Sequence, residues 1–268
     1  MGATALRPSD IAEDLINLGV RQSDILMVHA SLRAIGPVVG GANGVLDALC
    51  AATGMGGAVM MVLGARDDWA WVNESPETER QVLLHGSPPF DALSTPAQPD
   101  VGYLAEALRL RPGVRVTNHP EGRFAAIGDR AAELLRDPPW HDYFGPGSPL
   151  DHLCALGGHV LRLGADKDTV TLLHLAEYLA PIPHKRRIRR HRLVAAPGGP
   201  QIRVVECLND DGEGVCEWPH GDYFEAILND YLSSGRACIG RVGNAQAELI
   251  GARELVTFAV DWMANNLI

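Results

Sequence analysis

Asp24-Ile-Leu-Met-Val-His29 and Gly57-Ala-Val-Met-Met-Val-Leu-Gly64 are two uninterrupted apolar runs. Each is short and bounded by turn or charged residues, which predicts a strand buried on both faces. Between them the chain turns through Ala30-Ser-Leu-Arg-Ala-Ile-Gly36 and Gly40-Gly41, and a helix is predicted over about 42–53. Strand, loop, helix and strand in that order point to an α/β fold with a central, largely parallel sheet flanked by helices.

The same pattern continues outward. Ser9–Gly19 reads as a capped helix ended by glycine, with Ile11, Leu15, Ile16 and Leu18 on its apolar side. Helices are expected at 101–110, 129–135, 150–156, 220–235 and about 252–265. Strands are expected at 115–120, 123–128, 160–164 and 245–250. Residues 65–100 break the pattern and read as a long loop held extended by Pro88, Pro89, Pro96 and Pro99. The basic run 183–192 allows an exposed strand and reads as a solvated face balancing acidic sequence elsewhere. With Leu193–Ala196, the Pro197-Gly-Gly-Pro200 turn, Gln201–Cys207 and the acidic turn 209–214, it predicts a small β insertion at about 183–220.

Chemistry concentrates in Gly164-Ala-Asp-Lys-Asp-Thr-Val-Thr-Leu-Leu-His-Leu-Ala-Glu-Tyr-Leu-Ala180. Asp168 is the expected N-cap of a helix. Helical spacing then aligns Thr171, His174 and Glu177. A histidine one turn from a carboxylate suits a general base, although a satisfied core histidine gives the same pattern. Asp67, Asp68, Trp69, Trp71 and Glu74 mix carboxylates with aromatic faces, which suits a polycationic sugar-like ligand, although a solvated acidic loop with its two tryptophans tucked into the core gives the same pattern. Loop 29–41 runs glycine-rich into a helix start, where N–H groups favour anions such as a pyrophosphate, although an ordinary strand-to-helix connection gives the same pattern.

The 268 residues are 46% hydrophobic with a formal net charge of −10. That charge argues against nucleic acid as a partner and admits a cationic ligand. Cys50, Cys154, Cys207, Cys216 and Cys238 show no metal-type spacing and read as reduced thiols. The N-terminal residues lack a signal-peptide pattern, and no apolar run is long enough for a membrane span. A cytoplasmic protein without a bound metal is expected, as a monomer or homodimer.

Several stretches in order resemble the aminoglycoside 3-N-acetyltransferase family: Leu26–Pro37, Pro89–Thr95, Asn118-His-Pro120 with Phe124–Gly128, Gly147-Ser-Pro149, Thr171–Glu177, Ile182–Arg187, Gly240–Gly243 and Glu254–Phe258. Thr117 stands where many relatives carry serine, and segment 65–85 matches poorly. The resemblance implies a single acetyltransferase domain over 1–268, unlike the common small N-acetyltransferase fold. It implies acetyl transfer from acetyl-coenzyme A to the 3-amino group of an aminoglycoside. Carried over by position, His29, Ala30, Ser31, Leu32, Arg33, Ile35, Gly36, Asn118, His119, Phe124, Ala126 and Gly128 would line the coenzyme. His174 would be the base, Glu177 its partner and Thr171 an oxyanion donor. Asp67, Asp68, Trp69, Glu74 and Asp210 would face the aminoglycoside. Another amine acceptor, a non-catalytic coenzyme-binding module and a metal-dependent hydrolase using His29, His119, His174 and Asp67 are the competing readings.

Overall fold

Helix α1 (Pro8–Leu18) leads into strand β1 (Ile25–Ala30), whose side chains alternate between two separate cores. Ile25 and Met27 join one core, Leu26 and Val28 the other, as a strand's period of two requires. The computed structural model describes residues 5–211 and 214–267. Residues 212 and 213 of the expected acidic turn lie outside them.

After β1 come α2 (Leu32–Ile35), α3 (Gly41–Thr53), β2 (Ala58–Val62), α4 (Glu77–His85) and α5 (Tyr103–Arg109). Then follow β3 (Arg115–Val116), β4 (Phe124–Gly128), α6 (Ala131–Leu134), α7 (Pro149–Ala155), β5 (His159–Leu163) and α8 (Leu173–Leu179). The hairpin β6 (Arg187–Val194) and β7 (Gln201–Leu208) precedes α9 (Tyr223–Ser233), β8 (Cys238–Val242), β9 (Ala245–Gly251) and α10 (Ala252–Asn266).

Seven strands form one sheet in the order β3-β4-β2-β1-β5-β9-β8, and β6-β7 stand apart as the two-stranded insertion. The parallel arrangement read from the sequence occupies the centre, where β2, β1 and β5 run together. Antiparallel strands extend it on both sides, so the whole sheet is mixed. Ile11, Leu15, Val45, Leu49, Leu104 and Leu108 cover one face; Leu150, Leu173, Ile227, Leu255 and Met263 cover the other. The result is three layers, helices on both sides of a sheet. No helix among the described residues is long and apolar enough to cross a membrane.

Two local expectations change. Residues 65–100 carry a short 3-10 helix over Ala70–Glu74 and the helix α4, so they are not one extended loop. Two acidic residues in the first turn of α4, Glu77 and Glu79, favour its N-terminus. Strand β8 was not anticipated, because Gly240 and Arg241 interrupt its apolar character and it lies at an edge.

Arg123 fastens the 92–96 segment to the sheet. Its fully buried guanidinium donates to the carbonyls of Gly64, Ala92, Thr95 and Pro96 and lies over Phe90. Burial lowers its pKa to about 10, which still leaves it charged at neutral pH. Arg123→Met keeps the volume and orphans those carbonyls. A loss of about 3 kcal/mol is expected in urea unfolding, since each unsatisfied buried group costs roughly 1–3 kcal/mol. A loss below about 0.5 kcal/mol, the range of ordinary surface substitutions, would contradict it.

Candidate active site

Three cavities meet at the C-terminal ends of β1, β2 and β5, the end of an α/β sheet where ligands bind. The first, about 500 Å³, is lined by Thr171, His174 and Glu177, with Asp100, Asp168, Asp210, Asp211, Asp222 and Tyr223 around them.

His174 is held on every side. Phe144 stacks on its ring at 5.0 Å and 10°, and Phe224 meets it edge-on at 4.9 Å. Nδ1 lies 2.7 Å from Glu177 Oε2. A carboxylate only accepts, so the proton sits on Nδ1. Nε2 is left with a lone pair and no hydrogen bond among the described residues. Burial alone would lower the pKa of His174. The charge and hydrogen bond of Glu177, with Asp210 and Asp222 further off, outweigh it and raise the pKa above the usual value.

Glu177 is almost wholly buried, and its other oxygen accepts from the Tyr223 hydroxyl. Burial and the adjacent carboxylate push the Tyr223 pKa well up, so the phenol stays protonated and remains a donor. Tyr223, Glu177 and His174 thus form one hydrogen-bonded chain ending in the cavity. The residue pattern marked the histidine and glutamate; Tyr223 gave no sign, being 46 residues from Glu177.

Asp168 does not cap α8. Residues 166–173 make successive tight turns, with Thr169 N bonding Asp166 O and Leu173 N bonding Val170 O. The helix starts only at Leu173, behind Leu172, so Asp168 is left on the cavity wall bonded to the Thr169 hydroxyl.

The second cavity, about 580 Å³, is lined by His29, Ala30, Ser31, Arg33, Gly164, Asp166 and Thr169. Thr171 and Asp100 line it too, so it opens onto the His174 cavity. The other residues expected at the coenzyme fall elsewhere. Leu32 and Ile35 pack into the core, and Gly36 abuts Asn244. Most N–H groups of the 29–36 loop are already engaged: Ser31 N bonds Leu163 O, Ala34 N the Ser31 hydroxyl, Ile35 N Ser31 O and Gly36 N Leu32 O. That leaves Leu32 and Arg33, which no helical carbonyl can reach.

Asn118 is exposed, outside all these cavities. His119 organises its own turn. Its Nδ1 accepts from the N–H groups of Glu121 and Gly122, and its Nε2 donates to Trp140 O. Burial lowers its pKa to about 4. Thr117 closes the same turn, donating to Gly122 O and accepting from Phe124 N. Phe124 packs edge-on against Phe144, one layer behind His174, and Ala126 is buried in the sheet. Gly128 pairs with Ala58 at the start of β2, because β4 runs antiparallel and carries it to the far end of the sheet.

The third cavity, about 720 Å³, is lined by Asp67, Trp71, Glu74, Glu121, Tyr143, Arg190 and Arg192, and shares Asp100, Asp210 and Asp211 with the His174 cavity. The basic run is not simply a solvated face. Arg187 and Arg189 pair outward with Asp142 and Glu206. Arg190 and Arg192 turn inward: Arg190 lies 2.8 Å from Asp210, and Arg192 lies 3.1 Å from Asp67 and 2.8 Å from Glu121. Asp210 also accepts from the Tyr143 hydroxyl. Two of the expected substrate acids, Asp67 and Asp210, are therefore already paired from within. Asp68 pairs with exposed Arg66, and Trp69 stacks at 6.0 Å on Trp71 while lining a separate groove beside Phe90. Among the described residues no three His, Cys, Asp or Glu side chains are placed to share a metal ion.

A sequence profile described as aminoglycoside 3-N-acetyltransferase matches residues 27–264. The chain belongs to the aminoglycoside 3-N-acetyltransferase family. Aminoglycoside N(3)-acetyltransferase III of Pseudomonas aeruginosa is 40% identical over 249 residues, covering 92% of this chain and 90% of the relative. Type VII from Streptomyces paromomycinus is 36% identical, covering 96% and 91%. Among solved structures, AAC-IIIb in binary complex with CoASH superposes with a TM-score of 0.92 at 34% identity, covering 98% of each chain. Sisomicin-bound AAC-VIa gives 0.90 at 34% identity, covering 99% of this chain and 100% of that one. The family chemistry is acyl transfer from acetyl-coenzyme A, and this chain is an acyltransferase.

Proposed function

We propose that this acetyltransferase moves the acetyl group of acetyl-coenzyme A directly to the 3-amino group of an aminoglycoside, with His174 as general base. The observation that carries the reading is the free Nε2 of His174, anchored through Nδ1 to a buried glutamate, in an acidic cavity that opens onto a second one. The second cavity suits the donor. It offers exposed Arg33, the first N–H groups of α2 and an unpartnered buried imidazole on His29.

Acetyl-coenzyme A supplies an acyl group activated as a thioester. The acceptor arrives as an ammonium ion and must shed a proton before nitrogen can attack the acyl carbon. Nε2 takes that proton, and Glu177 stabilises the imidazolium through Nδ1. As the N–C bond forms, the C–S bond breaks, the imidazolium returns its proton to the departing sulfur, and the acylated nitrogen loses its second proton through Nε2 to solvent. Base catalysis of this kind contributes about 10²–10⁴-fold. In this reading Thr171, which lines both cavities, or backbone N–H groups near the helix start donate to the oxyanion. The surrounding carboxylates, Asp100 among them, hold the other ammonium groups.

A thiol-release assay over aminoglycosides that carry or lack the 3-amino group tests this. Release is expected only with the 3-amino compounds. Equal release without that group, or none with any compound, would reject the assignment.

A further inference from the structure

Two arginines line the third cavity, where attraction alone would offer an acceptor rich in ammonium groups nothing but carboxylates. A strand's period of two brings Arg190 and Arg192 to the same face of β6. Arg192 is 8% exposed and lies between Asp67 and Glu121, while Arg190 holds Asp210. All of these contacts use one nitrogen of each guanidinium, Nη1. Nη2 of each arginine has no hydrogen bond among the described residues. Glu74 and Asp100, which line the same cavity, are exposed and have no ion pair among the described residues. The hairpin does not need these arginines as its anchors. Phe90 N bonds Leu193 O, Ala195 N bonds Phe90 O, and the Asn73 side chain accepts from His191 N.

We propose that Arg190 and Arg192 set acceptor specificity, admitting a hydroxyl and rejecting an ammonium group on the part of the aminoglycoside that lies beside them. An ammonium group has three donors and no lone pair, so it offers a guanidinium nothing and is repelled by it. A hydroxyl accepts from a guanidinium N–H and donates to the adjoining carboxylate, so it satisfies both members of each pair. The third cavity shares Asp100, Asp210 and Asp211 with the His174 cavity, so an acceptor whose amine sits at His174 extends into it. Ammonium groups elsewhere on the acceptor go to Asp100 and Glu74. Selectivity between similar ligands commonly combines such a repulsive element with the attractive ones. This inference rests on the acceptor assignment above and adds which substituents that acceptor carries.

The test is steady-state thiol release by the full-length protein with matched pairs of 3-amino aminoglycosides. The members of a pair are identical except for a hydroxyl or an amine at one carbon of a sugar ring other than the acetylated one. In at least one pair the wild type should favour the hydroxyl compound in kcat/KM. Arg192→Met, which frees Asp67 and Glu121, should move that ratio about tenfold toward the amine, chiefly through the KM of the amine compound. Arg192→Lys, which keeps the charge, should retain the preference. Asp67→Asn leaves the guanidinium less compensated and should strengthen the preference for the hydroxyl; it also serves as the second variant if Arg192→Met does not fold. A wild type that prefers the amine in every pair overturns the inference. So does a ratio unmoved in every pair by Arg192→Met and Asp67→Asn, including an equal loss for both members, since holding the hairpin in place would affect the two compounds alike. Wild-type protein that releases no thiol with any member of any pair would instead refute the acceptor assignment itself.

Discussion

His174→Ala lowers kcat for aminoglycoside acetylation by about 10³-fold, the middle of the range for a general base, and leaves coenzyme A binding within a few-fold. The split follows from position. His174 lines the acidic cavity but not the one assigned to the donor, so its removal should spare donor affinity. The loss should shrink as pH rises toward 9, because a growing fraction of the substrate amine is then already deprotonated. Alanine also leaves a hole between Phe144 and Phe224 and strips the buried Glu177 of its strongest partner. Removing one member of a buried pair costs about 3–5 kcal/mol. Thermal unfolding must therefore accompany the kinetics, and His174→Gln, which fills more of the space, serves as a second variant. A folded variant that retains more than a tenth of wild-type kcat would remove His174 from the proton transfer.

The sheet's centre was legible because strands buried on both faces leave unbroken apolar runs, as at Ile25–Ala30 and Ala58–Val62. Strand direction at the edges was not. Alternation of side chains records which face is buried, not which way the neighbouring strand runs, so the antiparallel β4 and β9 left no mark. That omission misplaced Gly128, which the antiparallel turn carries away from the ligand end. In the site, the His174–Glu177 pair was readable because helical spacing makes it a local feature. Partnerships across the chain were not. Nothing local to Asp67 or Asp210 announces that Arg192 and Arg190 reach them from the insertion. The family resemblance places His119 along the coenzyme, whereas a lone histidine before a proline reads as structural, and its ring is indeed consumed by backbone groups of its own turn and of Trp140. Short polar motifs carry chemistry to the right neighbourhood; the partners that commit or free each group come from sequence far away.

Two substitutions behind His174 should move its titration in opposite directions. Glu177→Gln removes the charge that holds the His174 pKa up. Burial, no longer opposed, then lowers it. The rising limb of kcat/KM should shift toward acid, and its plateau should fall about 10–100-fold, because the imidazolium formed in the reaction has lost its counter-charge. Tyr223→Phe removes a donor from Glu177 without touching the charge. The carboxylate's negative charge then falls more fully on Nδ1–H, and the limb should move toward alkaline pH. Stability follows the same sign. A histidine whose folded pKa is raised contributes stabilisation that is complete below its unfolded value near 6.5 and is lost as pH rises through the folded pKa. Glu177→Gln should reverse that dependence, because a folded pKa below the unfolded value makes stability fall as the pH falls, and Tyr223→Phe should extend the wild-type dependence to higher pH. A purely structural role for the tyrosine predicts lower stability with an unmoved limb. Shifts of both variants in one direction would mean that the charge of Glu177 does not set the basicity of His174.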